Sequence, residues 1–300
     1  DATIREFEET HGKVPGSRLL ILALGRLGGE ALTHASDLDL VFLFSGDHSA
    51  ESDGKRSLGA TQYYNRLTAR IVTALSVPTA AGPLYEVDTR LRPSGTQGPL
   101  AVTLESFYKY QRESAWTWEH MALTRARPVY GDKTERAALE QEIRNTLRKD
   151  REPEELRKAV RKMRLDIVEH KPPKGPLDTK MMEGGLVDWA FIIHFLQLKT
   201  GEALYPQLGK AVRALVDAGY LGEDMVTAHE LMARLLVALR LMSPDCDFPP
   251  VTSRALIAKA AGQESWEALL EGYDQARQCV IDAWNRHLRP DPDEILGDIK

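Results

Sequence analysis

The chain has 300 residues and a composition typical of soluble globular proteins, with 43% hydrophobic and 28% charged residues. Its net charge of -5 and its pI of about 6.0 exclude a whole-chain basic field for binding DNA or RNA. The two cysteines form no Cys-x-x-Cys pair, which argues against a disulfide framework or structural zinc and favours a reduced, cytoplasmic setting. The chain starts without an initiator methionine or an apolar leader, so we expect it to be a piece of a longer protein.

The first half of the chain carries both strand and helix patterns. Apolar runs predict buried strands, alternation predicts a half-buried strand, and an apolar stripe at helical spacing predicts an amphipathic helix. The predicted elements, in chain order, are a strand over 17–24, a glycine turn and short helix from Gly25, a strand over 38–44, a helix over 61–76, a strand over 84–91, one or two aromatic-rich helices over 104–123, and a short strand near 126–130.

Strand patterns vanish after about Gly131, and the rest of the chain is typical of packed helices. The apolar run at 186–198 is too short to span a bilayer, and it carries Asp188, which needs a salt-bridge or capping partner if it is buried. The predicted helices cover 133–149, 153–170, 185–199, 203–218, 224–242, 252–261 and 264–288. We therefore expect an α+β fold, with a small mixed sheet and its helices over 1–148 followed by an all-α helical bundle over 149–300.

The stretch LGRLGGEALTHASDLDL carries the strongest chemical signal. Gly28 and Gly29 follow a strand, where glycine lets the backbone approach a phosphate and lets N–H groups form an anion site. Asp37 and Asp39 come next at a spacing of two, so a strand turns both carboxylates to one face. Two neighbouring carboxylates repel each other, and a bound cation removes this repulsion. Magnesium suits such a site because it binds through few carboxylates together with substrate phosphates. Ser36 is either a further contact to the nucleotide or only a turn residue.

The alternating strand LYEVDTRLR supplies a third carboxylate, Asp88, which would complete a two-metal site with Asp37 and Asp39. Arg90 and Arg92 are predicted to share the face of Asp88. Two arginines beside a metal site suit the binding of phosphate, and the alternative for each of them is a surface salt bridge.

Each of these features is weak alone. Asp-x-Asp is usually solvated surface, Gly-Gly is usually only a turn, and GRLGG lacks the G-x-G-x-x-G of a dinucleotide site. Their coincidence favours a nucleotidyltransferase. Arg125 and Arg127 alternate on the last predicted strand, and there they would support the active-site carboxylates instead of the substrate.

The order hydrophobic-Gly-Gly, short helix, Asp-hydrophobic-Asp resembles the nucleotidyltransferase superfamily that includes DNA polymerase β. Three longer stretches, ALGRLGGEALTHASDLDLVFLF, PTAAGPLYEVDTRLRPSGTQGPLAV and YQRESAWTWEHMALTRARPVYGD, resemble the glutamine-synthetase adenylyltransferases. That family is similar to two nucleotidyltransferase domains in tandem, each followed by a helical domain. One copy removes adenylyl groups by phosphorolysis, and the other adds them from ATP. The sequence motifs YEVD, AWTWEH and ASDLDL favour the carboxy-terminal, adenylyl-adding copy.

The resemblance implies that a tyrosine hydroxyl of glutamine synthetase attacks the α-phosphate of ATP and that pyrophosphate leaves. It implies two magnesium ions on Asp37, Asp39 and Asp88, and β,γ-phosphate contacts from Gly28 and Gly29. The PII signal protein and glutamine are expected effectors, whereas nucleic acid and membrane are not expected partners. Two alternatives stay open: the adenylyl-removing domain of the same enzyme, and a non-catalytic module that binds glutamine synthetase or PII.

Overall fold

The computed structural model describes residues 1–80, 82, 85–243 and 245–289. The chain divides into two compact units, Asp1–Arg148 and Lys149–Lys300. The first unit combines a small mixed sheet with helices, and the described part of the second unit is helical, which confirms the predicted α+β class. Among the described helices, none is long and apolar enough to cross a membrane.

A mixed sheet organises the first unit. Its described strands are β1 (Leu19–Ala23), β2 (Leu38–Phe44), β3 (Val87–Asp88), β4 (Ala101–Thr103) and β5 (Arg127–Tyr130). Strand β1 pairs antiparallel with β2 on one side and with β5 on the other. The second edge of β2 pairs in parallel with β3 near the start of β2 and with β4 near its end. The chain between β3 and β4 therefore leaves the sheet and returns to the same edge.

Helices cover the sheet and close the core of this unit. They are α1 (Ala2–His11), α2 (Gly25–Gly28), α3 (Ala60–Ser76), α4 (Leu104–Glu113), α5 (Thr117–Leu123) and α6 (Lys133–Leu147). The apolar stripe of α3 packs on β2, where the rings of Phe44 and Tyr64 stack with their centroids 4.5 Å apart. Leu67, one turn further along α3, is buried in the same cluster.

The strand predicted over 84–91 is wrong in its extent, because β3 has only two residues, Val87–Asp88. The carboxylate of Asp88 accepts the backbone N–H of Arg90 at 2.8 Å, so the chain turns directly after the strand. The first residue of the predicted strand, Leu84, lies outside the described residues. Arg90 and Arg92 consequently do not continue a strand face beyond Asp88.

The second unit consists, in its described part, of packed helices. They are α7 (Pro153–His170), α8 (Leu186–Thr200), α9 (Leu208–Asp217), α10 (Asp224–Met242), α11 (Val251–Ala260) and α12 (Trp266–Leu288). Helix α8 is buried along most of its length, as its continuous apolar sequence predicts. Helix α9 begins later than predicted, because the Gln197 side chain binds the carbonyls of Ala203 and Tyr205 and holds the preceding loop.

Asp188, in the first turn of α8, has the partner that its burial requires. Its carboxylate forms an ion pair with Arg164 of α7, and both side chains are 8% exposed. The second carboxylate oxygen accepts the backbone N–H of Gly184 at 2.7 Å. The prediction of a salt-bridge or capping role for Asp188 is therefore confirmed.

Candidate active site

The start of β2 brings three carboxylates to one edge of the sheet. Asp37 directly precedes β2, and Asp39 is its second residue. In the parallel pairing of β2 with β3, Asp39 lies directly opposite Asp88. The sequence predicts the pair Asp37 and Asp39 from strand periodicity, and the register adds Asp88 as the neighbour across the sheet.

Burial and like charge raise the pKa of Asp39. Burial is the largest cause, followed by the negative charges of Asp88 and Asp37, whereas Arg125 and Arg90 act in the opposite direction. The protein itself therefore stabilises the negative charge of Asp39 poorly. A site of this kind favours a cation, because added positive charge removes the repulsion among the carboxylates.

Asp88 is already held by Arg90. The Arg90 Nε donates to both carboxylate oxygens, at 3.1 Å to Oδ1 and 2.9 Å to Oδ2, and its backbone N–H donates to Oδ1 at 2.8 Å. The hydrogen bond from the guanidinium is the largest cause that lowers the pKa of Asp88. The Arg90 side chain is 74% exposed, whereas that of Asp88 is 17% exposed. Arg90 thus supplies an accessible positive charge at the rim of the carboxylate group.

Arg125 is a second cation near Asp39. Burial is the main cause that lowers the pKa of its guanidinium to about 10; the positive charge of Arg26 adds to the effect, and the charge of Asp39 opposes it. Its Nε is buried, and the described part of the chain offers this atom no hydrogen-bond acceptor. Arg125 precedes β5, and its electrostatic interaction with Asp39 agrees with a supporting role beside the carboxylates.

Arg127 has a different role from Arg125. Its Nε donates to the carbonyl of Gly28 at 3.1 Å, and its Nη2 donates to the carbonyl of Leu27 at 3.0 Å. These carbonyls belong to the last residues of the short helix α2, so the hydrogen bonds of Arg127 link the end of α2 to the start of β5. The guanidinium of Arg127 also forms an ion pair with the carboxylate of Glu30, with 3.5 Å between Nε and Oε1.

The glycines of the turn act mainly through close packing. The N–H of Gly28 donates to Leu24 at 2.7 Å and that of Gly29 donates to Gly25 at 3.1 Å, so both N–H groups are used within α2. A Cβ on Gly28 would lie 2.0 Å from the carbonyl oxygen of Arg125. The predicted phosphate contacts of Gly28 and Gly29 stay a prediction, and their expected basis in free N–H groups is not met in this arrangement.

Gly25 is a residue of the site that the sequence reasoning treated only as part of a turn. Its φ of +52° is in the left-handed region, and a Cβ there would lie 1.9 Å from Asp39 Oδ2. Only glycine leaves space for the Asp39 carboxylate beside the backbone of α2. The available signal was its position directly after an apolar strand, which it shares with many ordinary turns.

The side chains of two residues that were predicted to contact the nucleotide, Ser36 and Arg92, form hydrogen bonds to backbone groups of neighbouring loops. Ser36 is buried, and its Oγ accepts the backbone N–H of Thr33 at 2.9 Å, as a turn residue would. The buried guanidinium of Arg92 donates to the carbonyl of Thr89 at 2.7 Å and to that of Gly98 at 3.2 Å. These bonds fix the turn before β2 and the loop after β3, which are the segments that position the carboxylates.

The donor set suits a hard cation in an open site. Within the described residues, no group of three or more His, Cys, Asp or Glu side chains is arranged so that it could hold a metal ion. Arg90 engages both oxygens of Asp88. Oxygen-only donors from few carboxylates fit magnesium, which takes its remaining ligands from water and substrate phosphates.

Comparison with known proteins identifies the family. Residues 2–165 match the profile of the glutamate-ammonia ligase adenylyltransferase family, which is more than half of the chain. The chain belongs to this family. The resemblance to glutamine-synthetase adenylyltransferases that the motifs predict is therefore confirmed.

Individual relatives agree with the family match. The bifunctional glutamine synthetase adenylyltransferase/adenylyl-removing enzyme of Brucella suis biovar 1 is 42% identical over 92% of this chain and 30% of its own length. The enzymes of the same name from Rhizobium meliloti and Agrobacterium fabrum are 41% and 45% identical, over 83% and 66% of this chain and over 26% and 20% of their own lengths. The chain thus spans about 30% or less of the curated relatives described here.

Proposed function

We propose that this chain transfers AMP from ATP to a tyrosine hydroxyl of glutamine synthetase, as the adenylyl-adding part of a longer enzyme. The observation that carries the proposal is the register of the parallel pair β2–β3, which sets Asp39 opposite Asp88 with Asp37 two residues away. Family membership supplies the reaction class. The sequence motifs YEVD, AWTWEH and ASDLDL support addition of the adenylyl group over its removal.

Asp37, Asp39 and Asp88 are the residues that would hold magnesium, two ions in our proposal. When bound there, magnesium neutralises charge on the triphosphate and on the leaving pyrophosphate. Arg90 is the side chain we assign to the phosphates, because it is a largely exposed cation at the rim of the same group. Arg92 and Ser36 contribute by fixing the loops that carry these groups.

The transfer requires the tyrosine hydroxyl to lose its proton, since an ordinary tyrosine with a pKa of about 10 is mostly protonated at neutral pH. In the step that we propose, the tyrosine oxygen forms a bond to the α-phosphorus, the bond from that phosphorus to the β-phosphate oxygen breaks, and pyrophosphate leaves with the bonding electrons. Asp88 is the proposed acceptor of the proton. Because Arg90 holds Asp88, a triphosphate that draws Arg90 away would free the Asp88 carboxylate for this role.

The helical unit is proposed to dock the protein substrate or to relay regulation, with the PII protein and glutamine as effectors. Within this unit the buried pair of Arg164 and Asp188 fixes the loop that leads into α8. A change in the transfer rate when PII or glutamine is added would support regulation through this chain. An unchanged rate would restrict regulation to other parts of the longer protein.

Transfer is tested by incubating the chain with unmodified glutamine synthetase, magnesium and ATP labelled at the α-phosphate. We expect label on the synthetase and release of pyrophosphate. The matched reaction offers the chain pre-adenylylated synthetase and inorganic phosphate. Release of nucleotide in that reaction, without label transfer in the first, would contradict the proposed direction. Binding of the synthetase with neither reaction would instead indicate a non-catalytic module.

A further inference from the structure

A cavity lies at the end of the sheet away from the three aspartates. It has a volume of about 570 Å³ and is lined by the first helix, the start of β1, α3, and the end of β5 with the beginning of α6. Leu19 lines it at the start of β1, whereas Ala23, at the other end of that strand, pairs with Leu40 beside Asp39. At about 3.4 Å of rise per residue, the cavity and the carboxylates are separated by roughly 14 Å of strand.

The cavity has more positive than negative side chains. The acids are both close to cations, since Asp132 pairs with Arg18 at 3.0 Å and Glu8 pairs with Lys13 at 3.5 Å. Arg136 is a third cation in the lining. Its Nε is buried, and this atom has no hydrogen-bond acceptor in the part of the chain that the structure describes. A buried guanidinium N–H without an acceptor is costly, and an anion that reaches the Arg136 guanidinium from the cavity would supply one.

The remaining walls of the cavity are largely apolar. Tyr63, Tyr64 and Leu67 of α3 and Val129 of β5 provide aromatic and aliphatic surface. The hydroxyl of Tyr63 donates to the carbonyl of Gly12 at 2.9 Å. Burial is the main cause that raises the pKa of both tyrosines, so their hydroxyls stay neutral at physiological pH. An apolar wall facing an arginine suits a ligand with an apolar body and one acidic group.

We propose that this cavity binds a small organic monoanion, a carboxylate with an aromatic or branched aliphatic body, and that Arg136 binds the carboxylate. The volume is in the range of small-molecule sites. The site is separate from the aspartates that we assign to nucleotidyl transfer, and its ligand class differs from a metal–triphosphate. The proposal therefore stands or falls independently of the proposed function.

The test is a titration of 4-fluorobenzoate with the 300-residue chain, in which ¹⁹F NMR monitors binding. We expect saturable binding with a Kd of about 1 mM or tighter, as a ligand of this size allows. Arg136→Ala should weaken binding at least tenfold, and Arg136→Lys, which keeps the charge, should weaken it less. The matched control is Arg144→Ala, an exposed arginine further along α6, which should leave the Kd unchanged.

A second measurement does not depend on any variant folding. The neutral analogue 4-fluorobenzyl alcohol should bind the unchanged chain at least tenfold more weakly than 4-fluorobenzoate, because it cannot form the charge-assisted hydrogen bond. Equal binding of the two probes would overturn the proposal. Absence of saturable 4-fluorobenzoate binding, or equal binding by Arg136→Ala in a chain with an unchanged melting temperature, would overturn it as well.

Discussion

At the scale of single residues, the ionised carboxylate of Asp39 carries a cost in stability. Its pKa is raised by burial and by two neighbouring carboxylates, so the folded chain holds a proton at Asp39 more tightly than the unfolded chain does. Above the ordinary pKa of an aspartate, the ionised Asp39 therefore destabilises the fold. Below that pKa both states are protonated, and the cost disappears. Binding sites commonly carry such a cost, because charge that suits a ligand is unfavourable without it.

We therefore expect Asp39→Asn to raise the melting temperature in metal-free buffer at pH 7, by about 2–4 °C for each kcal/mol recovered. The gain should shrink as the pH falls toward the ordinary pKa of aspartate. Thermal unfolding of both chains at several pH values measures it. The control is Asp47→Asn on an exposed loop, where hydrogen bonds from Ser49 lower the pKa, so this change should give no gain. A lower melting temperature for Asp39→Asn at pH 7 would show that the sign is wrong.

At the scale of elements, the short helix α2 positions the carboxylates. Gly25 leaves space for Asp39, Gly28 packs against the backbone before β5, and Arg127 binds the last carbonyls of α2. The phosphate contact predicted for Gly28 stays a prediction, whereas its close packing on the carbonyl of Arg125 could not be predicted, because contacts between distant segments leave no local pattern. The spacing of Asp37 and Asp39 was predictable, since strand periodicity is local.

Gly28→Ala should lower the free energy of unfolding by about 1–3 kcal/mol, because its Cβ would overlap the carbonyl oxygen of Arg125. Chemical denaturation followed by circular dichroism measures the change. Gly59→Ala is the matched control, since a Cβ on Gly59 meets no atom within 4 Å and its φ of -61° suits any residue. Equal stability of the two variants would show that close packing of α2 is not what requires glycine at position 28.

The pairing between strands that are distant in the chain was the other feature that could not be predicted from the sequence. Strand β3 has two residues, too few for an alternating pattern to define its ends, and the prediction extended it to 84–91. Arg92 was predicted as a phosphate contact because strand alternation placed it on the face of Asp88, and Ser36 was left as either a nucleotide contact or a turn residue. Their burial and their bonds to backbone groups depend on how the loops fold. Tertiary context of this kind is absent from a single sequence.

At the scale of the whole molecule, the change from strands to helices after about Gly131 was predictable from periodicity alone. Long helices such as α7 and α10 begin and end where their patterns predict, because an amphipathic or continuously apolar run of that length has few alternatives. The structure divides at Arg148 and Lys149. The relatives described here are more than three times as long as the chain, and we propose that the chain is the adenylyl-adding part of such an enzyme.

The central claim, that the aspartates at the start of β2 perform adenylyl transfer, is tested most directly by one comparison. The rate of transfer of labelled AMP from magnesium-ATP to glutamine synthetase is measured for the unchanged chain, Asp39→Asn and Asp47→Asn. We predict a loss of at least a hundredfold for Asp39→Asn, about 2.7 kcal/mol of transition-state stabilisation, and an unchanged rate for Asp47→Asn. A folded Asp39→Asn chain that transfers AMP as fast as the unchanged chain would contradict the account.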